Sequence, residues 1–211
     1  MSAPTTNDYA SGFAALGSAT LGESGGRPMA PRLRAVWRGA RVSAPAFPVN
    51  CATTDNLAIH VAVAEAPAGT VLVVNVGHDG ARGYWGEVLT TGAEARGLRG
   101  LVIDGGVRDV DALEAHAFPV FSTMVALRGA TKQEPGSIGG TAIVGEVEVA
   151  AGDWIVGDAD GITVISFAHL DDVLAAGRAR AEKEEGFFTE LRAGRTTMDL
   201  LSLDGSPIER A

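Results

Sequence analysis

The chain has 211 residues, 46% of them apolar and 20% charged, with a formal net charge of −9 and a pI near 4.9. That length and balance suit one soluble domain with a substantial core, and the acidic surplus excludes a nucleic-acid surface, which needs clustered Lys and Arg. One cysteine, Cys51, excludes an intrachain disulfide and a cysteine-cluster metal site, and no apolar run approaches the length of a membrane span.

The basic residues that do cluster, Arg32/Arg34/Arg38/Arg41 and Arg178/Arg180/Lys183, are diluted by apolar or acidic neighbours. Cys51 has no base beside it in sequence and reads as a packed thiol, at home in a reducing compartment. The N-terminus, MSAPTTNDYASGF, lacks a basic region followed by an apolar run, so no signal peptide is expected and the default location is cytoplasmic.

In chain order, residues 1–8 are polar and expected to be flexible. Tyr9–Leu16 suits a short helix, and Ser18-Ala19-Thr20 suits the cap of another, soon interrupted by Gly22 and Gly25-Gly26. Arg34–Val42 and Phe47–Cys51 read as strands, with Pro45 and Pro48 restricting them to edges or starts. Asp55–Ala66 has apolar residues at helical spacing with Asp55 as its N-cap, and His60 within it reads as a packed or partly exposed residue. Val71–Val76 is a continuous apolar run of the kind found in a central strand.

Next comes a glycine-rich loop, GHDGARGYWG, and a helix from about Glu87 to Arg96 that Gly97 and Gly100 break. Leu101–Asp104 reads as a buried strand, after which Gly105 and Gly106 turn the chain into Val107-Arg108-Asp109. Ten helical residues cover about 15 Å and five strand residues about 16 Å. A helix folded back on the strand therefore returns the chain to its start, with Glu87 beside Arg108-Asp109. A helix N-terminus, which favours an anion, a guanidinium that matches a carboxylate and two carboxylates would share one cleft. Those groups suit a small oxo-acid beside a divalent cation, since Mg²⁺ or Mn²⁺ commonly takes one or two protein carboxylates and keeps several waters. The same residues also suit a surface Arg–Asp pair with glycines serving only as turns. His78 and Asp79 face either substrate or solvent, and Tyr84 and Trp85 either pack the loop or wall the ligand.

Beyond this stretch, DVDAL is a short helix, Phe118–Phe121 a strand, and Ser122–Gly136 a loop carrying Arg128 and Lys132. GTAIVGEVEV and DWIVGDADGITVIS read as an antiparallel β region. Asp158 and Asp160 resemble the start of a calcium loop, but the twelfth position is His169, not the bidentate Glu required, so a tight Asp turn is expected. Leu170 to about Leu191 is a long amphipathic helix carrying Glu182, Glu184 and Glu185. The element order gives a layered α/β sandwich with a central mixed sheet, swivelling-domain-like, in one domain spanning 1–211. VLVVNVGHDGARG lacks the GxGxxG spacing of a Rossmann dinucleotide site, and nothing supports a methyltransferase.

WGEVL, the twenty residues between Glu87 and Arg108, GLVIDGGVRD and FPVF, flanked by DNLAIHVAVAEAPAGTVLVV and GDWIVGDADGITVI, together resemble the 4-hydroxy-4-methyl-2-oxoglutarate aldolase family, which also contains the regulator of ribonuclease activity A. The likeness runs from about Leu16 to Leu201. It departs at Glu87, where characterised aldolases usually carry Asp. The resemblance implies a metal-dependent lyase that releases pyruvate from 4-hydroxy-2-oxo acids and also decarboxylates oxaloacetate. Asp109 would hold Mg²⁺ or Mn²⁺; Arg108 and the backbone of Gly86, Val88 and Leu89 would bind the substrate carboxylate; Glu87 would act as base through water. It also implies a homotrimer or hexamer in which a C-terminal glutamate, from the helix at about 170–191, reaches a neighbouring site. Glu182, Glu184 and Glu185 all remain open for that role. Arg128 and Lys132 fall in the family's loop, facing ligand or a neighbour. The alternative is a regulatory protein that binds and inhibits a ribonuclease.

Overall fold

The computed structural model describes residues 5–209. From the N-terminus come helix α1 (Thr6–Gly22) and strands β1 (Arg27–Pro28), β2 (Arg34–Ala35) and β3 (Val42–Asn50). Helix α2 (Leu57–Glu65), β4 (Val71–Asn75), β5 (Gly83–Trp85), α3 (Glu87–Ala95), β6 (Gly100–Val107), α4 (Val110–Ala115) and β7 (Val120–Val125) follow. The last third holds β8 (Ser137–Ile138), β9 (Thr141–Val144), β10 (Val147–Ala150), β11 (Trp154–Gly157), β12 (Ile162–Ile165), α5 (Leu170–Arg192) and α6 (Thr197–Leu201).

The main sheet runs β1-β12-β11-β3-β4-β6-β7-β2, with β5 beside β6 and β8 beside β3. Strands β3, β4, β6 and β7 are parallel, and β11 and β12 extend the sheet antiparallel. This is the mixed α/β sheet expected from the element order, and not a Rossmann arrangement. The apolar run of β4 is explained by burial on both faces. Leu72 and Val74 pack under α2, α3 and α4 with Ile59, Leu89 and Leu113. Val71 and Val73 face the other way, onto Ala142, Val144 and Val149 of the β9–β10 hairpin. A third cluster joins α1 and α5, through Phe13, Leu21, Val173 and Leu174, to Trp154, Val156 and Ile165.

Several local expectations needed correction. Residues 1–4 lie outside the described residues, but Thr5–Asp8, expected to be flexible, start α1: Thr5 and Asp8 form a reciprocal capping box. The two expected N-terminal helices are both present, as the parts of α1 on either side of Gly17, whose φ 79° and ψ 165° are not helical. Of the expected Arg34–Val42 strand only the ends are paired, Arg34–Ala35 with β7 and Val42 as the first residue of β3. The proline-containing strand is central, not an edge. Ala46 exchanges bonds with the β11 side and the carbonyl of Pro48 accepts from Gly139, so alternate residues face opposite neighbours. Pro48 thus falls between the end of the β11 ladder, at Pro45, and the start of the β8 ladder, at Val49. Pro45 just precedes the β4 ladder, which begins at Ala46, so neither ring nitrogen removes a ladder bond. Gly105 and Gly106 do not turn the chain but continue β6. A Cβ at Gly105 would lie 2.7 Å from Val76 Cγ2, and one at Gly106 2.5 Å from the Arg82 carbonyl, so Gly105 leaves room for Val76 and Gly106 for the loop that follows it.

Other expectations held. The long helix spans Leu170–Arg192, and Asp158 bonds Asp160 N–H at 3.0 Å in a tight turn while also accepting from Ser18. Burial pushes the Cys51 thiol up to about 12, which suits a packed, unreactive thiol. No described helix is long and apolar enough to cross a membrane.

Asp55 precedes the N-cap Asn56 but still caps α2, accepting Leu57 N–H at 2.7 Å. Its other oxygen accepts from Thr131 Oγ1 and from Gln133 and Glu134 N–H. Burial alone would raise this carboxyl, but the hydrogen bonds, led by Gln133, hold it at about 2. Asp55→Ala should therefore cost about 3 kcal/mol, since it leaves buried donors unpaired. Because the folded-state value is depressed, the stabilisation is present above about pH 4 and lost as pH falls towards 2. Urea melts across that window should show a steeper acid loss for the wild type than for the variant.

Candidate active site

The site forms where the 77–86 loop returns alongside the C-terminal end of β6. Strand β5 pairs parallel with β6, Gly83 opposite Gly106 and Trp85 opposite Val107, and Arg108 N–H donates to the Trp85 carbonyl at 2.9 Å. Tyr84 and Trp85 are buried and pack the loop. The Tyr84 hydroxyl donates to the Asp79 carbonyl; Trp85 Nε1 donates to Thr90 Oγ1 at 2.7 Å, and the indole stacks on Phe118 at 6.0 Å. Both residues still line the cleft.

Asp109 is left-handed, with φ 59° and ψ 40°, a conformation that costs a non-glycine residue energy and that Asp tolerates better than most. The turn points its carboxylate back at α3, where Oδ2 accepts Glu87 N–H at 3.0 Å. Gly86 leaves the room: a Cβ there would sit 2.3 Å from Asp109 Oδ2 and 3.2 Å from Arg108 Cγ. Arg108 lies across Gly83 and Gly86, its Nε 3.8 Å from Asp109 Oδ2. Both side chains are partly exposed, and Arg108 makes no other ion pair among the described residues. The first intrahelical bond of α3 is Thr90 N–H to Gly86 carbonyl. The Val88 and Leu89 N–H groups therefore have no partner within the helix.

These groups line a cleft of about 270 Å³ with Gly83, Tyr84, Trp85, Gly86, Val88, Leu89, Arg108 and Asp109 on it. Its other wall is Asn56, His60, Gly129, Ala130 and Lys132. A larger groove, about 920 Å³, opens at the N-terminal ends of the parallel strands near Gly69, Arg99 and Pro119. The smaller cleft lies at their C-terminal ends, where ligands of open α/β sheets bind.

Of the residues singled out in sequence, Gly86, Val88, Leu89, Arg108 and Asp109 meet at this cleft. Glu87 is adjacent, but its carboxylate is turned outward: Oε1 lies 3.7 Å from His116 Nε2, and His116 Nδ1 contacts Glu94 Oε2 at 2.8 Å. Asp79 is tied to Arg82 at 3.0 Å, and neither it nor His78 lines the cleft. Lys132 lines it and Arg128 does not. Glu184 pairs with Arg180 at 2.8 Å and Glu185 approaches Arg192 at 3.6 Å, whereas Glu182 makes no ion pair among the described residues. Of the wall residues, sequence reasoning passed over Asn56 and read His60 as a packed or partly exposed histidine rather than a site residue. Their i, i+4 spacing at the start of α2, which places both on one face, was the available signal.

Among the described residues no three His, Cys, Asp or Glu side chains converge as a metal site. Asp109 Oδ1 is in no hydrogen bond among them, and the carboxylate is partly exposed, so one hard oxygen faces a cleft with room for water and a chelating ligand. That donor set fits Mg²⁺ or Mn²⁺ bound mainly by water and substrate, and does not fit zinc, which wants three or four protein ligands.

A protein of Halalkalibacterium halodurans provisionally named 4-hydroxy-4-methyl-2-oxoglutarate aldolase is 35% identical over 145 residues, 69% of either chain. A solved structure of an uncharacterised Pseudomonas syringae protein superposes with TM-score 0.79 at 24% identity, over 92% of each chain. The RNA-processing inhibitor RraA of Thermus thermophilus superposes with TM-score 0.63 at 23% identity, over 78% of this chain and 93% of that one. At those identities the two structures establish the fold alone. Residues 14–164 match the RraA-like family, described as Aldolase/RraA, and the chain belongs to that family.

Proposed function

We propose that this protein is a divalent-metal-dependent lyase that cleaves 4-hydroxy-2-oxo acids, such as 4-hydroxy-4-methyl-2-oxoglutarate, to pyruvate, with decarboxylation of oxaloacetate as a side activity. The observation that carries the reading is the meeting of Arg108, Asp109 and the open first turn of α3 on one small cleft. The aldolase name of the Halalkalibacterium relative supports the reaction class.

In this reading Asp109 holds Mg²⁺ or Mn²⁺, which when bound supplies Lewis acidity for the developing enolate. Arg108 and the Val88 and Leu89 N–H groups take the substrate carboxylate and orient the 2-oxo group. The Asp109–Glu87 backbone bond keeps that helix terminus and the metal ligand in register. Glu87, whose carboxylate is turned towards His116 here, takes the 4-hydroxyl proton through a water once its side chain swings back to the cleft. We also propose a homotrimer or a hexamer. The buried residues of α5 end at Gly177, so Arg178–Arg192 runs on about 22 Å with Phe188 exposed, a projecting arm suited to a neighbouring subunit. A ribonuclease-inhibiting role has the RraA-like family match and the fold likeness to RraA behind it, and no observation at the cleft.

Three outcomes are expected. Chelator removes pyruvate release, and Asp109→Ala abolishes it while the circular dichroism spectrum is retained; full activity in that variant would undo the metal assignment. Both reactions pass through pyruvate enolate, but only the aldol substrate has a hydroxyl proton to remove. Glu87→Gln should therefore slow aldol cleavage by about 10²–10⁴-fold and oxaloacetate decarboxylation much less, while Arg108→Ala impairs both. Equal losses for Glu87→Gln would assign it to positioning instead. Light scattering at micromolar concentration should give a trimer or hexamer, and a monomer would count against the shared site.

A further inference from the structure

The outward turn of the Glu87 carboxylate needs a cause. A carboxylate in the first turn of a helix is attracted to the free N–H groups beside it. Arg108 offers a guanidinium close by, its Cγ 3.2 Å from where a Cβ on Gly86 would be. Folded inward, the Glu87 side chain would occupy the anion site that an incoming carboxylate needs. It is instead drawn to His116, with Oε1 3.7 Å from Nε2.

His116 is itself held in place. Glu94 lies two turns along α3 from Glu87, on the same face, and its Oε2 meets His116 Nδ1 at 2.8 Å. Glu94 stands in the last turn of α3, where the helix dipole disfavours an anion, and His116 offsets that cost. The backbone fixes the ring as well. His116 is the C-cap of α4, the helix that starts from Asp109 and is pinned by buried Leu113. After it the chain turns at Ala117, with φ 51°, and Phe118 stacks on Trp85. One helix of about 9 Å therefore sets the distance from His116 to the proposed metal ligand. With Nδ1–H donated to Glu94, Nε2 is left for Glu87, and the imidazolium form holds both carboxylates at once. The Glu87 contact is the longer, and its side chain is the more exposed, 56% against 36% for Glu94. Glu87 is thus the member that can leave.

We infer that His116, oriented by Glu94, is a positioning residue for Glu87. It docks the Glu87 carboxylate outside the cleft, which keeps Arg108 and the first turn of α3 open for the substrate carboxylate. Once that site is filled, Glu87 is released inward. The role of Glu87 as base rests on the lyase reading, but binding tests the dock without turnover.

Titration calorimetry with Mg²⁺ and oxalate, a chelating analogue of pyruvate enolate, reads how open the site is. His116→Phe should raise the Kd of oxalate by about 2–5-fold, the range of an exposed ion contact, and only while Glu87 is present. In a Glu87→Gln background the same substitution should change nothing. Glu94→Gln, a nearly isosteric change on a partly exposed side chain, should weaken binding by less and with the same dependence on Glu87. In turnover the His116→Phe loss should fall on KM rather than kcat. Equal weakening in both backgrounds would overturn the dock and leave His116 a tie between α3 and α4. An unchanged Kd in His116→Phe would overturn it as well. Wild type that bound no oxalate would remove the open anion site, and the dock with it. Absence of pyruvate release, with the Glu87-dependent effect intact, would sink the lyase reading alone.

Discussion

The bond from Glu87 N–H to Asp109 Oδ2 joins two segments that share little else. One is the start of α3, whose first-turn N–H groups are free by the geometry of any helix. The other is the end of β6, where a left-handed Asp109 turns its carboxylate back instead of letting it cap its own helix. The contact exists only because Gly86 has no Cβ to occupy the space and because β5 has brought the loop parallel to β6. Arg108 then has no choice but to lie over Gly83 and Gly86, with its guanidinium on the cleft. A helix terminus favouring anions and a carboxylate favouring cations are thus held side by side, an arrangement that suits a chelating acid and its metal together.

The opposite wall depends on a different carboxylate. Asp55 ties the start of α2 to the 131–134 loop, and its low protonation range reflects how many donors converge on it. Without that tie Lys132 would sit on an exposed loop with no reason to face the cleft. The two aspartates divide the labour: Asp55 is saturated by protein donors and structural, whereas Asp109 keeps one oxygen free of hydrogen bonds among the described residues.

Three apolar clusters rather than one explain how a glycine-rich chain with ten strands in its main sheet holds together. Val71 to Val74 are shared between the two faces of the sheet, and this two-sided burial stiffens the strand ends on which the site is built. The C-terminal part of α5 has no such support. Its ion pairs, Arg180 with Glu184 and with Glu23 at the end of α1, and Arg192 with Glu185, are partly exposed and contribute little to stability.

Much of this was legible in the residues themselves. Apolar runs and glycine breaks located α3, β6 and α5 to within a few residues, and the matched lengths of α3 and β6 were enough to bring Glu87 beside Asp109. Those are local properties, set by period and reach. What only the tertiary structure decided was direction and neighbourhood. Gly105 and Gly106 look like a turn but continue a strand, because the contact that demands them comes from residues more than twenty positions away. Pro45 and Pro48 look like edge markers but sit mid-sheet, because the ladder partner changes between them. Glu87 carries its carboxylate away from the cleft, towards a histidine on the next helix. Asn56 and His60 read as part of an ordinary buried helix, and their buried Oδ1 and Nε2, unpartnered among the described residues, appear only once the 129–132 loop closes over them, since whether a polar atom has a partner depends on what the fold places beside it.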